Sequence, residues 1–168
     1  MILGTNILLM LAAAMTRAYG KWREYYGTIV FVSFCNLLYN FFCDRYLLWA
    51  LNPEFLLNHK TADLLNTVVF LPATVLLYLK YFPARSRWKY LYYVLWVLGY
   101  SALEYTWYAF GRITYHHGWN LLWSICFYLL MFMTIRLHET RRAAALWILV
   151  LMTAFLLAYF KVPFFKEG

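Results

Sequence analysis

The sequence predicts an all-α integral membrane bundle of six transmembrane helices, both termini extracytoplasmic, with residues 1–168 forming one domain. Three observations predict it. Hydrophobic residues make up 65% of the chain and charged residues only 13%, about half the roughly 25% of a soluble domain. The apolar residues gather into runs of the length that crosses ~30 Å of hydrocarbon as a helix. The basic residues fall between those runs, dense in one set of loops and sparse in the other. A soluble domain with so few charges would leave most of its surface apolar. The same composition excludes a disordered chain and a collagen, and Cys35, Cys43 and Cys126 are too few for a disulfide scaffold.

The six runs are Met1 to Met15, Tyr25 to Phe42, Thr61 to Leu79, Tyr90 to Phe110, Trp119 to Ile135 and Ala143 to Phe160. The first is short and contains Asn6, and its Ala12-Ala13-Ala14 run resembles a signal-peptide cleavage site. No Lys or Arg precedes the apolar stretch and the positive charges follow it, so it reads as a span. Pro72 lies in the middle of the third run, where its missing N–H predicts a kink. Pro53, Pro83 and Pro163 fall in loops or at ends.

Charge fixes the predicted orientation. Arg17, Lys21, Arg23, Lys80, Arg85, Arg87, Lys89, Arg136, Arg141 and Arg142 lie in alternate loops, against Arg45, Lys60, Arg112, Lys161 and Lys166 in the others. The positive-inside rule places the first set in the cytoplasm, which requires an even number of spans. A net charge of +8 is explained by this topology. No aromatic-basic module that would bind nucleic acid is present.

The polar residues inside the spans are ordered by helix face. Asn36, Asn40 and Asp44 are spaced i, i+4, i+8 on the second helix, and Asp63 and Asn66 i, i+3 on the third. Ser101, Glu104, Tyr108 and Arg112 share a face of the fourth, and His116, Asn120, Ser124 and Tyr128 form an i, i+4 ladder entering the fifth. The sixth carries almost nothing polar besides Thr153 and reads as lipid-facing. These stripes point to one shared polar pocket in the extracytoplasmic half, walled by aromatics. Asn36, Asn66, Ser101, Ser124 and Tyr128 also suit plain hydrogen bonds between helices. Asp44 and Asp63 suit the headgroup boundary, where Asp63 could also cap a helix. His116 and His117 suit a solvated loop. Glu104 stands apart: about fifteen residues past Lys89 at ~1.5 Å each, it lies deep in the bilayer and needs a partner. Arg112 reaches it only by a bent approach, so His116 or a residue of another helix is the easier partner.

No HExxH, CxxC, GxSxG or Gly-rich phosphate loop occurs, so neither metal nor cofactor is expected. In order along the chain, Leu38-Tyr39-Asn40, Leu57-Asn58-His59 with Asp63, the run Pro72 to Leu79, Glu104-Tyr105, His117-Gly118-Trp119-Asn120 with Trp123-Ser124, and Arg136-Leu137-His138 are present. Together they resemble a family of small multi-pass membrane proteins of endospore-forming Bacillus- and Clostridium-type bacteria. The resemblance runs from about Tyr25 to Pro163. It implies a bacterial cell (inner) membrane and transfers no site residue, because the family has no assigned activity.

The first functional expectation is a pocket for a lipid, an isoprenoid or a small cationic ligand, with Asn40, Asn66, Tyr108, Arg112, His116, Trp119 and Asn120 as its binding residues. The alternative is a membrane-embedded acid–base enzyme acting on an isoprenoid or lipid, with Glu104 as acid and Asp44 or Asp63 as base, analogous at fold level to small helical membrane terpene cyclases. A third is a proton-coupled transporter, which needs polar groups in the cytoplasmic half, where Ser33, Asn36 and Tyr128 are the few available. Homo-oligomerisation is left open by composition.

Overall fold

The computed structural model describes residues 1–52 and 59–163. Pro53, the Leu57-Asn58 pair of the resemblance and Lys166 lie outside the described residues. The described chain is a helical bundle. Helix α1 spans Ile2–Met15 and α2 Trp22–Cys43. Helices α3 (His59–Leu65) and α4 (Leu71–Lys80) are two halves of one rod, joined by a π-helical turn at Asn66–Phe70. Helix α5 spans Lys89–Ala109, α6 Leu121–Thr140 and α7 Arg142–Tyr159. Four stretches are long and apolar enough to cross a membrane: Ala18–Cys43, Lys60–Lys80, Leu121–Thr140 and Arg142–Tyr159. Helix α5 is as long, with 21 residues, but its many tyrosines and tryptophans lower its mean hydropathy.

The α3–α4 rod is the centre of the bundle. It packs against α1 and α2, and every side chain from Ala73 to Leu79 is buried. A helix that is apolar all round can satisfy itself only in such a position. Around it, Tyr78, Trp96, Tyr100 and Phe132 form an aromatic cluster with ring centroids 5.0–6.3 Å apart. The exterior is apolar instead. Leu8, Leu11, Phe34, Phe41, Leu95, Leu98, Trp147 and Leu151 are all exposed. In water this would be a continuous adhesive surface, whereas hydrocarbon solvates it without penalty. Helix α7 buries only Ala145.

The kink expected at Pro72 takes the form of the π turn just before it. Leu71 N–H reaches back five residues to the Asn66 carbonyl. In that register the Thr67 carbonyl would be paired by residue 72, and proline has no N–H to give. Ser33 Oγ of α2 supplies the missing donor at 3.1 Å. The defect in one helix is thus repaired by a hydroxyl from its neighbour.

An all-helical reading does not anticipate the short sheet. Strand β1 (Trp49–Leu51) pairs antiparallel with β2 (Ile113–Tyr115), joining the connection after α2 to the one after α5. Gly111, at φ +65°, makes it possible. It ends α5 with its N–H on Tyr108 O at 2.9 Å and the Arg112 N–H on Trp107 O at 2.7 Å, the paired bonds of a Schellman cap. The chain then leaves the helix directly into β2. On the other strand, Tyr39 stacks on Trp49 at 3.9 Å while its hydroxyl accepts the Leu48 N–H at 3.2 Å.

Candidate functional site

Beneath the sheet lies a chamber of about 110 Å³. Helices α2, α5 and α6, the α3–α4 rod and both strands contribute to its wall. Its polar lining is Asn36, Asp63, Asn66, Tyr100, Glu104, Ser124 and Tyr128, and Trp49, Phe70, Trp107, Trp119 and Phe127 close the sides. Among the described lining residues there is no lysine, arginine or histidine.

Glu104 is 5% exposed. Tyr115 of β2 donates its hydroxyl to Oε1 at 2.6 Å, and Tyr128 of α6 donates to Oε2. Strand, helix and helix therefore converge on one carboxyl group. Burial, reinforced by the Glu104 carboxylate beside it, pushes the Tyr115 hydroxyl above its ordinary range, so it remains a donor. Tyr108, one turn beyond Glu104 on α5, is exposed and stacks on Tyr115 with centroids 5.1 Å apart, holding that ring in place. Trp107 follows Glu104 at i+3, on the same helix face. It is 7% exposed, and its indole N–H has no hydrogen-bond partner.

A second polar layer holds the rods together. Asn36 Nδ2 donates to Thr67 Oγ1 at 2.8 Å, and Thr67 Oγ1 donates to the Asp63 carbonyl at 2.8 Å. Asn40 Nδ2 donates to the Asp63 carboxylate. Asn6 Nδ2 of α1 donates to Asn66 Oδ1 at 2.9 Å. The i, i+4 stripe of α2 thus binds along the matching stripe of the α3–α4 rod.

The expected site residues divide accordingly. Glu104, Asp63, Asn66 and Trp119 line the chamber. Trp119 is buried there and donates its indole N–H to Ser124 Oγ at 2.9 Å. Asp44 is elsewhere, exposed and 3.7 Å from Lys60. With Asn40 it borders a groove that meets the chamber only at Asp63. Asp63 sits in the fifth position of α3, so it does not cap that helix. Asn120 is the N-cap of α6, its Oδ1 accepting Leu122 N–H at 3.0 Å and Trp123 N–H at 3.2 Å. That commits its carbonyl to the helix start. His116 is exposed, with Nε2 3.2 Å from Thr114 Oγ1, and is not the partner of Glu104. Arg112 is half-buried in the turn between α5 and β2, where its carbonyl accepts Asn52 N–H at 2.9 Å.

A partner from another helix was expected for Glu104, and Tyr128 of α6 is one; sequence reasoning missed Tyr115 and the unpaired donor Trp107. It also missed a polar cluster at the opposite end of the bundle. There Thr28 Oγ1 donates to Glu139 Oε2 at 2.8 Å and lies 2.8 Å from His138 Nδ1. A hydroxyl has one hydrogen, so Nδ1 of His138 must be the donor to Thr28. The imidazole is stacked on Phe31 at 4.3 Å. Among the described residues, no three His, Cys, Asp or Glu side chains are grouped to hold a metal. No protein-family model, no curated protein and no solved structure matches this chain.

Proposed function

We propose that this chain crosses a bacterial cell membrane six times with both termini outside, and that the chamber around Glu104 binds a lipid, an isoprenoid or a small cationic ligand. The four apolar stretches supply four spans. Helix α5, with 21 residues, is ~31 Å long and supplies a fifth. Helix α1, with 14 residues, reaches only ~21 Å and is accommodated as a sixth by local thinning of the bilayer. Helix ends alternate as this topology requires. The strands and the Asn6–Asn66 contact share one end. At the other, Lys80 Nζ reaches the Thr16 carbonyl and the Arg136 guanidinium lies 4.8 Å from the Phe82 ring. That second end carries most of the basic residues and faces the cytoplasm.

One observation carries the binding reading. A carboxyl group at membrane depth is costly, and here it is kept in a chamber built from α2, α5, α6, the α3–α4 rod and both strands. Tyr115 and Tyr128 stabilise it, yet the chamber retains free volume and the unpaired N–H of Trp107. A purely structural carboxyl would be packed around, not left beside a space. Asp63 and Glu104 line the same space, which favours the acid–base enzyme as the second reading. Mass spectrometry of the small molecules that copurify with wild-type, Glu104→Gln and Glu104→Ala protein tests the proposal. An enriched amphiphile that is depleted in the variants supports it. Identical extracts from all three would refute it.

A further inference from the structure

The chamber shares a wall with a second cavity of entirely different character. That cavity, of about 140 Å³, is apolar and lies between α2, α6 and α7, with Leu149, Thr153, Leu156 and Leu157 on its α7 side. Trp49, Leu71, Phe127 and Met131 border both spaces. A third pocket of about 80 Å³ continues from it along the same helices, sharing Val32, Cys35 and Leu149. Helix α7 packs on α6 and α2 packs on α4 and α6, but α2 and α7 do not pack closely on each other. The apolar cavity lies in the space between α2 and α7.

The polar chamber constrains the other end of the occupant. Trp107 Nε1–H requires an acceptor. Glu104 has each oxygen already taking one hydroxyl and retains lone pairs for one more donor. Trp107 and Glu104 are i, i+3 on α5 and both line the chamber, so a ligand atom lodged between them would face one donor and one acceptor. A hydroxyl oxygen accepts and donates at once. An ammonium cannot accept from the indole, and a phosphate would meet Asp63 and Glu104 with no lysine, arginine or histidine among the described lining residues.

We infer that the ligand is an uncharged long-chain alcohol. Its hydroxyl sits between Trp107 and Glu104, and its chain runs past Trp49, Phe127 and Met131 into the apolar cavities. This rests on the binding reading above and narrows it. An apolar cavity of about 150 Å³ accepts a six-carbon ring, so the two apolar spaces together hold a chain of about nine carbons by the same measure. A ten-carbon prenol or a medium-chain acylglycerol meets that size.

The test is native mass spectrometry of the delipidated full chain, released from detergent after incubation with one probe at a time. The probes are geraniol, geranylamine, geranyl phosphate, the hydrocarbon 2,6-dimethyloctane and 1-decanoylglycerol. Geraniol or 1-decanoylglycerol is expected to give the dominant adduct, and the stronger of the two identifies the source as isoprenoid or acylglycerol. Trp107→Phe keeps an aromatic ring, though a smaller one, and removes the donor, and is expected to weaken the alcohol about tenfold, or ~1.4 kcal/mol. Thr153→Phe fills the apolar cavity and is expected to abolish geraniol binding while sparing the five-carbon 3-methyl-2-buten-1-ol. Preference for the amine, the phosphate or the hydrocarbon would overturn the alcohol assignment and leave the binding site standing. Failure of every probe to bind would overturn both.

Discussion

Removing the Tyr115 hydroxyl tests the arrangement around Glu104 with the fewest side effects. Tyr115→Phe preserves the ring that stacks on Tyr108 and deletes the bond of 2.6 Å to Oε1, together with the hydroxyl's interaction with Ser124. Glu104 is 5% exposed, so any replacement donor has to come from within the chamber. Leaving a buried acceptor short of a donor costs about 1–3 kcal/mol, against ~0.6 kcal/mol for an average interhelical hydrogen bond in a bilayer. The decisive comparison is a double-mutant cycle with Glu104→Leu. That variant strands both tyrosine hydroxyls, so it is itself destabilising. In its background Tyr115→Phe removes an unsatisfied group, and its cost is expected to fall to zero or reverse. Reversible unfolding by sodium dodecyl sulfate in mixed micelles, followed by far-ultraviolet circular dichroism, reads all four corners. An equal cost for Tyr115→Phe in both backgrounds would show that the two groups do not interact and would refute the reasoning.

Three further outcomes follow from the packing. Asn120→Ala is expected to lose ~1 kcal/mol of stability without altering which small molecules copurify; a change in the bound species would make Asn120 a ligand residue as well as a cap. Phe132→Ala removes a fully buried ring that faces Tyr78 and Tyr100, and a loss of about 3–5 kcal/mol is expected in the same unfolding assay. Ser33→Ala is expected to cost ~1 kcal/mol in the wild-type background and clearly less when combined with Pro72→Ala. The alanine N–H can then satisfy the Thr67 carbonyl itself. Equal costs in both backgrounds would remove the repair role of Ser33.

Helical periodicity made some of this site readable in advance, because residues four apart share a face whatever surrounds them. Spacing alone puts Asn36 and Asn40 on one face of their helix and Asp63 and Asn66 on one face of theirs; that the two stripes meet is seen in the structure. Of the donors to Glu104, Tyr128 carried the same periodic signal, as the inner rung of an i, i+4 ladder, whereas nothing local distinguishes Tyr115 among sixteen tyrosines. Tyr115 reaches Glu104 only because β2 pairs with a strand 64 residues earlier in the chain, a long-range event with no turn motif to announce it. Asn120 is the opposite case. An asparagine directly before an apolar run is a helix-start signal, but reading it as one rung of an i, i+4 ladder hid the cap. Pro72 announced a defect, while its form depended on Ser33 from another helix.

Photo-methionine incorporation reads directly what occupies the chamber and the apolar cavities beside it. Met131 lines the polar chamber and both apolar cavities, while Met133, two residues on, is exposed on the lipid-facing exterior. Irradiation in native membranes, followed by peptide mass spectrometry, reports what each touches. One amphiphile enriched at Met131 over Met133 and lost on Glu104→Ala is the expected result. Adducts at Met131 that match bulk lipid at Met133, and that survive Glu104→Ala, would contradict it.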